Sequence, residues 1–403
     1  SSNQKDVEFF QKATEYKMKN SKLVAFGATK RKGIKPEEDS NLNALVASGA
    51  DYISIFGKSS KLHVEEIIKT TLQENLDMIF DTVSYLVGLG KTVFYDAEHF
   101  FDGYKLSAEY ALDTLKAAAR AGASRIVLCD TNGGCFPDEI YEITKKCAEE
   151  LDVPIGIHCH NDMECAVANS ISAVKAGAMQ VQGTFIGTGE RCGNTNLSAI
   201  IPSLQLKLGY DCIDPKKMPL LTLTARHIAE ISNIVLPDSH AYVGRNAFTH
   251  KAGMHVDGVK KNSKSFEHIE PCAVGNERNI LVSEVAGRAV IMDKLNKIAP
   301  ELTKDRPEVG QIIELIKQQE YLGYQYEAAE ASFELLVMRF LKKYKPFFHI
   351  EYYKIIGEKS EETNMLDSAI VKVKVGDKTE ISADEGKGPV NAIDKAIRQA
   401  LSS

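Results

Sequence analysis

The sequence predicts an α/β fold: a parallel barrel of the (β/α)8 type, followed by a helical region and a small α+β module. Three observations predict it. Short apolar, β-rich runs recur along the first half of the 403-residue chain. Most are followed by a helical pattern, at a spacing of roughly 25 to 40 residues, and alternating βα units with buried strands assemble as a parallel sheet. Polar residues cluster directly after the runs, and in a barrel those positions converge on one face. A doubly wound sheet would spread them along a crevice and usually carries an early glycine-rich phosphate loop, which is not evident here.

The elements follow in order. The chain opens on a helical segment, Lys5–Lys17. Strand-like runs lie at Leu23–Gly27, Tyr52–Gly57, Thr92–Tyr95, Arg125–Cys129, Pro154–His158 and Met179–Thr184. Helical patterns fill Val64–Val87, Ala108–Ala121, Pro137–Leu151 and Glu164–Ala176. This gives six strands rather than eight, and a barrel short of two strands would expose open sheet edges. Two further βα units are therefore expected ahead of Ser1. Beyond about residue 206 the pattern changes to helical segments at Pro219–Ile231, Val282–Leu295 and Val309–Gly323, with a loop over Gly244–Lys260. From Tyr344 the strand-like stretches Phe347–Ile356 and Ala369–Val375 precede a helix at Pro389–Leu401, which reads as a βββα module. The expected division is 1–206 for the incomplete barrel, 207–343 for a mostly helical linker region and 344–403 for the module.

Composition narrows the function. The chain is 44% hydrophobic and 26% charged, an ordinary globular balance. A formal charge of −6 with no long basic run argues against a nucleic-acid role. No apolar stretch is long enough to span a membrane, and Ser1–Asp6 does not read as a signal peptide. The eight cysteines form no CxxC pair, so free thiols in a reducing cytoplasm are expected. Cys159, Cys165 and Cys192 read as packing residues.

Two motifs carry the chemistry: His158-Cys159-His160-Asn161-Asp162, and the glycine-rich turn Gly187-Thr188-Gly189-Glu190-Arg191-Cys192-Gly193-Asn194. Strand residues two apart share a face, so His158 and His160 project side by side. The run Val153–Ile157 places the pair at the C-terminal end of a buried strand, where α/β folds build their sites. The turn can bring Asn194 to the same point. Two imidazoles with oxygen ligands suit a divalent ion with open positions, and hence Lewis-acid chemistry on a carbonyl. The competing reading is a pair of satisfied histidines on an apolar strand.

Together HCHND, GTGERCGN and FTHKAGMHVDG (residues 248–258) resemble the Claisen-condensing metalloenzymes: isopropylmalate, homocitrate and citramalate synthases. The runs Tyr95–Lys105, Ala25–Gly33 and Gly275–Arg278 are similar to the citramalate branch. The resemblance implies condensation of acetyl-CoA with pyruvate on a route to isoleucine, with isopropylmalate or homocitrate synthesis as sister activities. A metal-dependent lyase or a non-catalytic homologue is a further alternative. It implies His158, His160 and Asn194 as ligands of a divalent ion (Mg²⁺, Mn²⁺ or Zn²⁺), Glu98 as the acidic residue at the reacting centre and Thr131 as the group binding the 2-oxoacid carboxylate. It implies that His255 reaches the neighbouring subunit's site, and hence a homodimer. The C-terminal module resembles the first half of an amino-acid-sensing domain, so isoleucine feedback is expected. The family's Arg-Asp pair is expected on a strand ahead of Ser1. The usual tyrosine is replaced by Phe266.

Each residue also has a plainer reading. Glu98 could be a salt-bridged strand-end carboxylate and Thr131 a helix cap. Asp130 is expected to orient a ligand or an arginine. His250 is expected to be structural, and His63 either supports the site or begins a helix. Glu190 and Arg191 are expected to pair and hold the glycine turn. Lys30, Arg31 and Lys32 read as a solvated charge run rather than a site for CoA phosphates.

Overall fold

The computed structural model describes residues 3–16, 18–250, 253–280, 292, 295–303, 305–324, 326, 329–357 and 366–402. They form two compact units, one of residues 1–250 and 258–279, the other of residues 251–257 and 280–403.

The first unit is built on a parallel sheet of six strands. These are β1 (Val24–Ala28), β2 (Tyr52–Lys58), β3 (Thr92–Glu98), β4 (Arg125–Asp130), β5 (Ile155–Cys159) and β6 (Gln180–Gln182). They pair strictly in sequence order, every pair parallel. No reversal of strand order occurs, which separates a barrel-type sheet from a doubly wound one.

Strand alternation sets which residues meet the helices and which remain for the site. Ile53, Ile55, Val93, Tyr95, Ile126, Leu128, Ile155 and Ile157 are buried in the sheet–helix core. Each such side chain stabilises the layer by about 1.5–3 kcal/mol. Opposite-phase residues, among them Ser54, Phe56, Asp96, Glu98, Cys129 and His158, face the barrel interior.

Helix Leu72–Gly88 packs Ile79, Val83 and Leu86 against this core. It is shorter than the Val64–Val87 expected from periodicity. Thr71 caps it by accepting the Glu74 N–H at 3.1 Å, and Lys69, at φ 51°, breaks the path from the preceding turn His63–Ile67. Helices Ala108–Arg120, Pro137–Glu150 and Ala166–Lys175 fall where the pattern placed them. Two short helices, Ser40–Ala47 and Phe100–Leu106, carried too few periodic positions to be read. The first is started by Asp39, whose carboxylate accepts the Asn41 and Leu42 N–H groups.

In the second unit, strand Asp367–Val375 lies between His349–Gly357 and Lys378–Gly386 in an antiparallel sheet. Helix Pro389–Ser402 covers one face, Ala392, Ala396 and Ala400 meeting Ala369, Val371 and Val373. Helices Pro307–Tyr321 and Glu330–Phe340 share a core that includes Val309, Ile312, Ile316, Phe333 and Val337. The expected helix Val282–Leu295 falls almost wholly outside the described residues. The expected loop Gly244–Lys260 contains the start of a helix, Gly253–Lys261. No described helix is long and apolar enough to cross a membrane.

Candidate active site

The interior face of β1–β5 and the turn after β6 line a cavity of about 340 Å³. Glu98, Thr131, His158, His160 and Asn194 all line it, beside Phe26, Phe56, Asp96, Cys129 and Glu190. His255 is not among the lining residues. It is exposed, on helix Gly253–Lys261, in a stretch that belongs to the second unit.

Backbone geometry delivers Asn194. The residue forms an antiparallel bridge with His160, and the Asn161 N–H donates to Gly193 O at 2.9 Å. Gly193 sits at φ 95°, and a Cβ there would lie 1.9 Å from Gly187 O, so only glycine closes this turn. Arg191 fastens the turn to its neighbours. Its guanidinium donates to both Asp162 oxygens, at 2.7 and 3.0 Å, and to Thr131 O at 2.7 Å. The expected Glu190–Arg191 pair is only a 3.9 Å contact. A planar fork favours the bidentate carboxylate of Asp162.

The His158 imidazole is held at both ends. Nδ1 lies 2.7 Å from Gln182 Oε1, and Nε2 lies 3.0 Å from Asn194 Nδ2. Gln182 Nε2 donates to Asp96 Oδ1 at 3.3 Å, which also accepts the Ser54 hydroxyl at 2.7 Å. This order assigns the proton to Nδ1 and leaves the Nε2 lone pair facing Asn194. Burial pushes the Asp96 carboxyl up, opposed by the Ser54 hydroxyl, the neighbouring His158 ring and the Gln182 amide. The His158 and His160 ring centroids are 5.2 Å apart. Burial, then His158 and Arg191, holds the His160 imidazole below its ordinary value, and its buried Nδ1 has no hydrogen-bond partner.

Glu98 forms an ion pair with Lys58 from the end of β2. It is therefore both a salt-bridged strand-end carboxylate and a cavity residue. Thr131 caps no helix: its hydroxyl oxygen accepts the His99 N–H at 2.8 Å, which leaves its proton free to donate. The Asp130 carboxylate accepts the Gly134 and Cys135 N–H groups at 3.2 and 3.4 Å and so holds its own turn, while its carbonyl oxygen accepts the His160 N–H at 3.2 Å. His63 stacks on His99 with centroids 3.7 Å apart, outside the cavity lining. His250 is buried with Nε2 3.1 Å from Glu267 Oε1, the structural role expected of it. Burial raises the Cys129 and Cys159 thiols well above the ordinary range, which removes them as nucleophiles.

Sequence reasoning missed Lys58, Asp96 and Gln182 as site residues. Strand periodicity pairs Asp96 with Glu98 on one face, and Gln182 is the β6 partner of His158. Among the described residues no three His, Cys, Asp or Glu side chains converge as a metal cage. The convergence is of two imidazoles and one amide. A half-buried imidazole whose inner nitrogen is unsatisfied, beside a lone pair fixed by Gln182, is a donor set that fits a divalent cation.

The chain matches three family patterns: HMGL-like over residues 1–229, homocitrate synthase post-HMGL domain-like over 242–321, and LeuA allosteric (dimerisation) domain over 327–403. It is 49% identical to the (R)-citramalate synthase of Aquifex aeolicus, over 99% of this chain and 76% of that protein. It is 46% identical to that of Geobacter sulfurreducens, over 99% and 76%. A probable 2-isopropylmalate synthase of Methanopyrus kandleri is 31% identical, over 90% and 70%. The chain belongs to the (R)-citramalate synthase family of HMGL-like proteins.

Proposed function

We propose that this enzyme condenses acetyl-CoA with pyruvate to give citramalate and free CoA. The observation that carries the reading is the 42–49% identity, over 99% or more of this chain, to five (R)-citramalate synthases. The polar cavity at the strand ends supports it.

In this reading His158, His160 and Asn194 hold a divalent ion, with Gln182 fixing the His158 tautomer. Bound there, the ion supplies Lewis acidity toward the keto oxygen and carboxylate of pyruvate. The Thr131 hydroxyl donates its free proton to that carboxylate. A base removes a proton from the acetyl methyl group, and the base is His255, contributed by a second copy of the chain and acting with Glu98. Lys58 orients the Glu98 carboxylate toward the reacting carbon. The enolate carbon bonds to the ketone carbon, and water then cleaves the thioester and releases CoA. The LeuA-type C-terminal region supports a homodimer and feedback by isoleucine.

The test is thiol release from acetyl-CoA with pyruvate, 2-oxoisovalerate or 2-oxoglutarate, with and without EDTA. EDTA-sensitive release with pyruvate is expected. Release with another oxoacid in its place moves the enzyme to a sister activity. No release with any of the three overturns the reading.

A further inference from the structure

β3 ends on a strained turn. Its last residue, Glu98, lines the active-site cavity, and the next, His99, sits at φ 57° and ψ 33°, in the left-handed region. Among the described non-glycine residues at positive φ, His99 alone is buried, at 9% exposure. Such a residue carries strain that persists only where its surroundings hold it. Here the turn sends the chain from the strand into helix Phe100–Leu106, whose Phe100 and Phe101 enter the sheet–helix core.

The surroundings hold His99 on three sides. Its carbonyl oxygen accepts the Gly103 N–H at 2.9 Å, the first bond of the helix. Its ring lies on His63, with centroids 3.7 Å and planes 22° apart. Its N–H donates to Thr131 Oγ1 at 2.8 Å. A second bond, from Asn132 Nδ2 to Asp102 Oδ2 at 2.6 Å, joins the same two segments. Neither His99 nor His63 lines the active-site cavity, and the buried His99 Nδ1 has no hydrogen-bond partner among the described residues. What His99 presents to the site is therefore its peptide N–H and not its imidazole.

Thr131 does line the cavity. A hydroxyl has one proton and two lone pairs, and a free one rotates. With a lone pair engaged by a fixed N–H, the Thr131 proton is turned away from His99. We propose that His99 is a positioning residue: its left-handed turn aims the peptide N–H that fixes the Thr131 hydroxyl as a donor to the carboxylate of pyruvate. The proposal rests on the pyruvate reading given above. It also accounts for the residue type. Histidine and asparagine tolerate the left-handed region, β-branched residues do not, and the ring adds the stack on His63 that keeps the turn closed.

The experiment is steady-state thiol release by the full chain, with pyruvate and acetyl-CoA varied in turn and the Tm recorded for each variant. His99→Val is expected to raise the KM for pyruvate about tenfold, the size of one hydrogen bond to a charged group, and to leave kcat within about threefold. His99→Asn is expected to keep that KM within about threefold of wild type. Thr131→Val is expected to raise it alone, and His99→Val to add nothing on top of Thr131→Val. His63→Leu removes the stack without a change at residue 99 and is expected to raise the same KM by a smaller factor; it decides the question if His99→Val does not fold. A wild-type KM in His99→Val, or in His63→Leu where His99→Val is unfolded, overturns the positioning role alone. So does a His99→Asn enzyme as impaired as His99→Val, or a His99→Val effect undiminished on Thr131→Val. No release with pyruvate by the wild type overturns this role and the pyruvate reading together.

Discussion

Replacing Gln182 by methionine tests how the His158 lone pair is aimed. Gln182 accepts the Nδ1 proton at 2.7 Å and donates to Asp96 at 3.3 Å. Methionine keeps much of the volume but makes neither bond. Of the two bonds lost, the one that bears on His158 is a neutral hydrogen bond of about 1 kcal/mol, with about 1–2 kcal/mol more for leaving its Nδ1–H less satisfied. The substitution also frees the imidazole to adopt the other tautomer, which would turn an N–H toward Asn194 and the ion. At 1.4 kcal/mol per factor of ten, about 2–3 kcal/mol corresponds to roughly 30- to 150-fold weaker metal binding. Manganese titration followed by calorimetry reads this directly, with the Tm as a check on folding. A Gln182→Met protein that folds and binds manganese within twofold of wild type refutes the tautomer argument.

The other predictions rest on separate contacts. Lys58→Met is expected to lower kcat by about 10- to 100-fold with little change in the KM for pyruvate, and Lys58→Arg to recover part of it; an unchanged kcat removes Lys58 from the orientation of Glu98. Gly189→Ala would place a Cβ 2.0 Å from Asn194 Oδ1, so loss of metal binding in a folded protein is expected, and retained binding contradicts the assigned ligand. Arg191 holds the Asp162 carboxyl below its ordinary 3.8. The stability this pair provides is complete above that value and is lost as pH falls through the lowered folded value. Arg191→Leu is therefore expected to lower the Tm at pH 7 while narrowing the gap to wild type under strongly acidic conditions; an equal deficit at both pH values contradicts the pairing. Light scattering is expected to give about twice the 44.4 kDa chain mass, and an active monomer would end the role of His255 in trans.

Much of the fold was legible because burial wrote it into the strands. Ile53 with Ile55, Ile126 with Leu128, and Ile155 with Ile157 are the alternate residues that meet the helices. The order of the sheet followed from the repeat of βα units. Helix ends were less legible where a cap overrode periodicity, as at Thr71, or where a helix was too short to show a period, as at Ser40–Ala47. Within the site, His158 and His160 were readable because the strand period alone puts them together. Asn194 needed a glycine turn that sequence could point to but not close. Gln182 and Lys58 were hidden for a different reason: their roles come from cross-strand register and an inter-strand ion pair, and neither sets a spacing along the chain. The Arg191–Asp162 pair was missed because local proximity to Glu190 competes with a partner 29 positions away that offers better geometry.

The most direct test of the account follows the carbon. Acetyl-CoA labelled with ¹³C at the methyl group is incubated with pyruvate and the enzyme in the presence of manganese, and the product is read by NMR. The label is expected in the methylene of citramalate, and the signal is expected to be lost in His160→Ala. Citramalate formed undiminished by His160→Ala, or label left in acetyl-CoA or free acetate, would contradict the account.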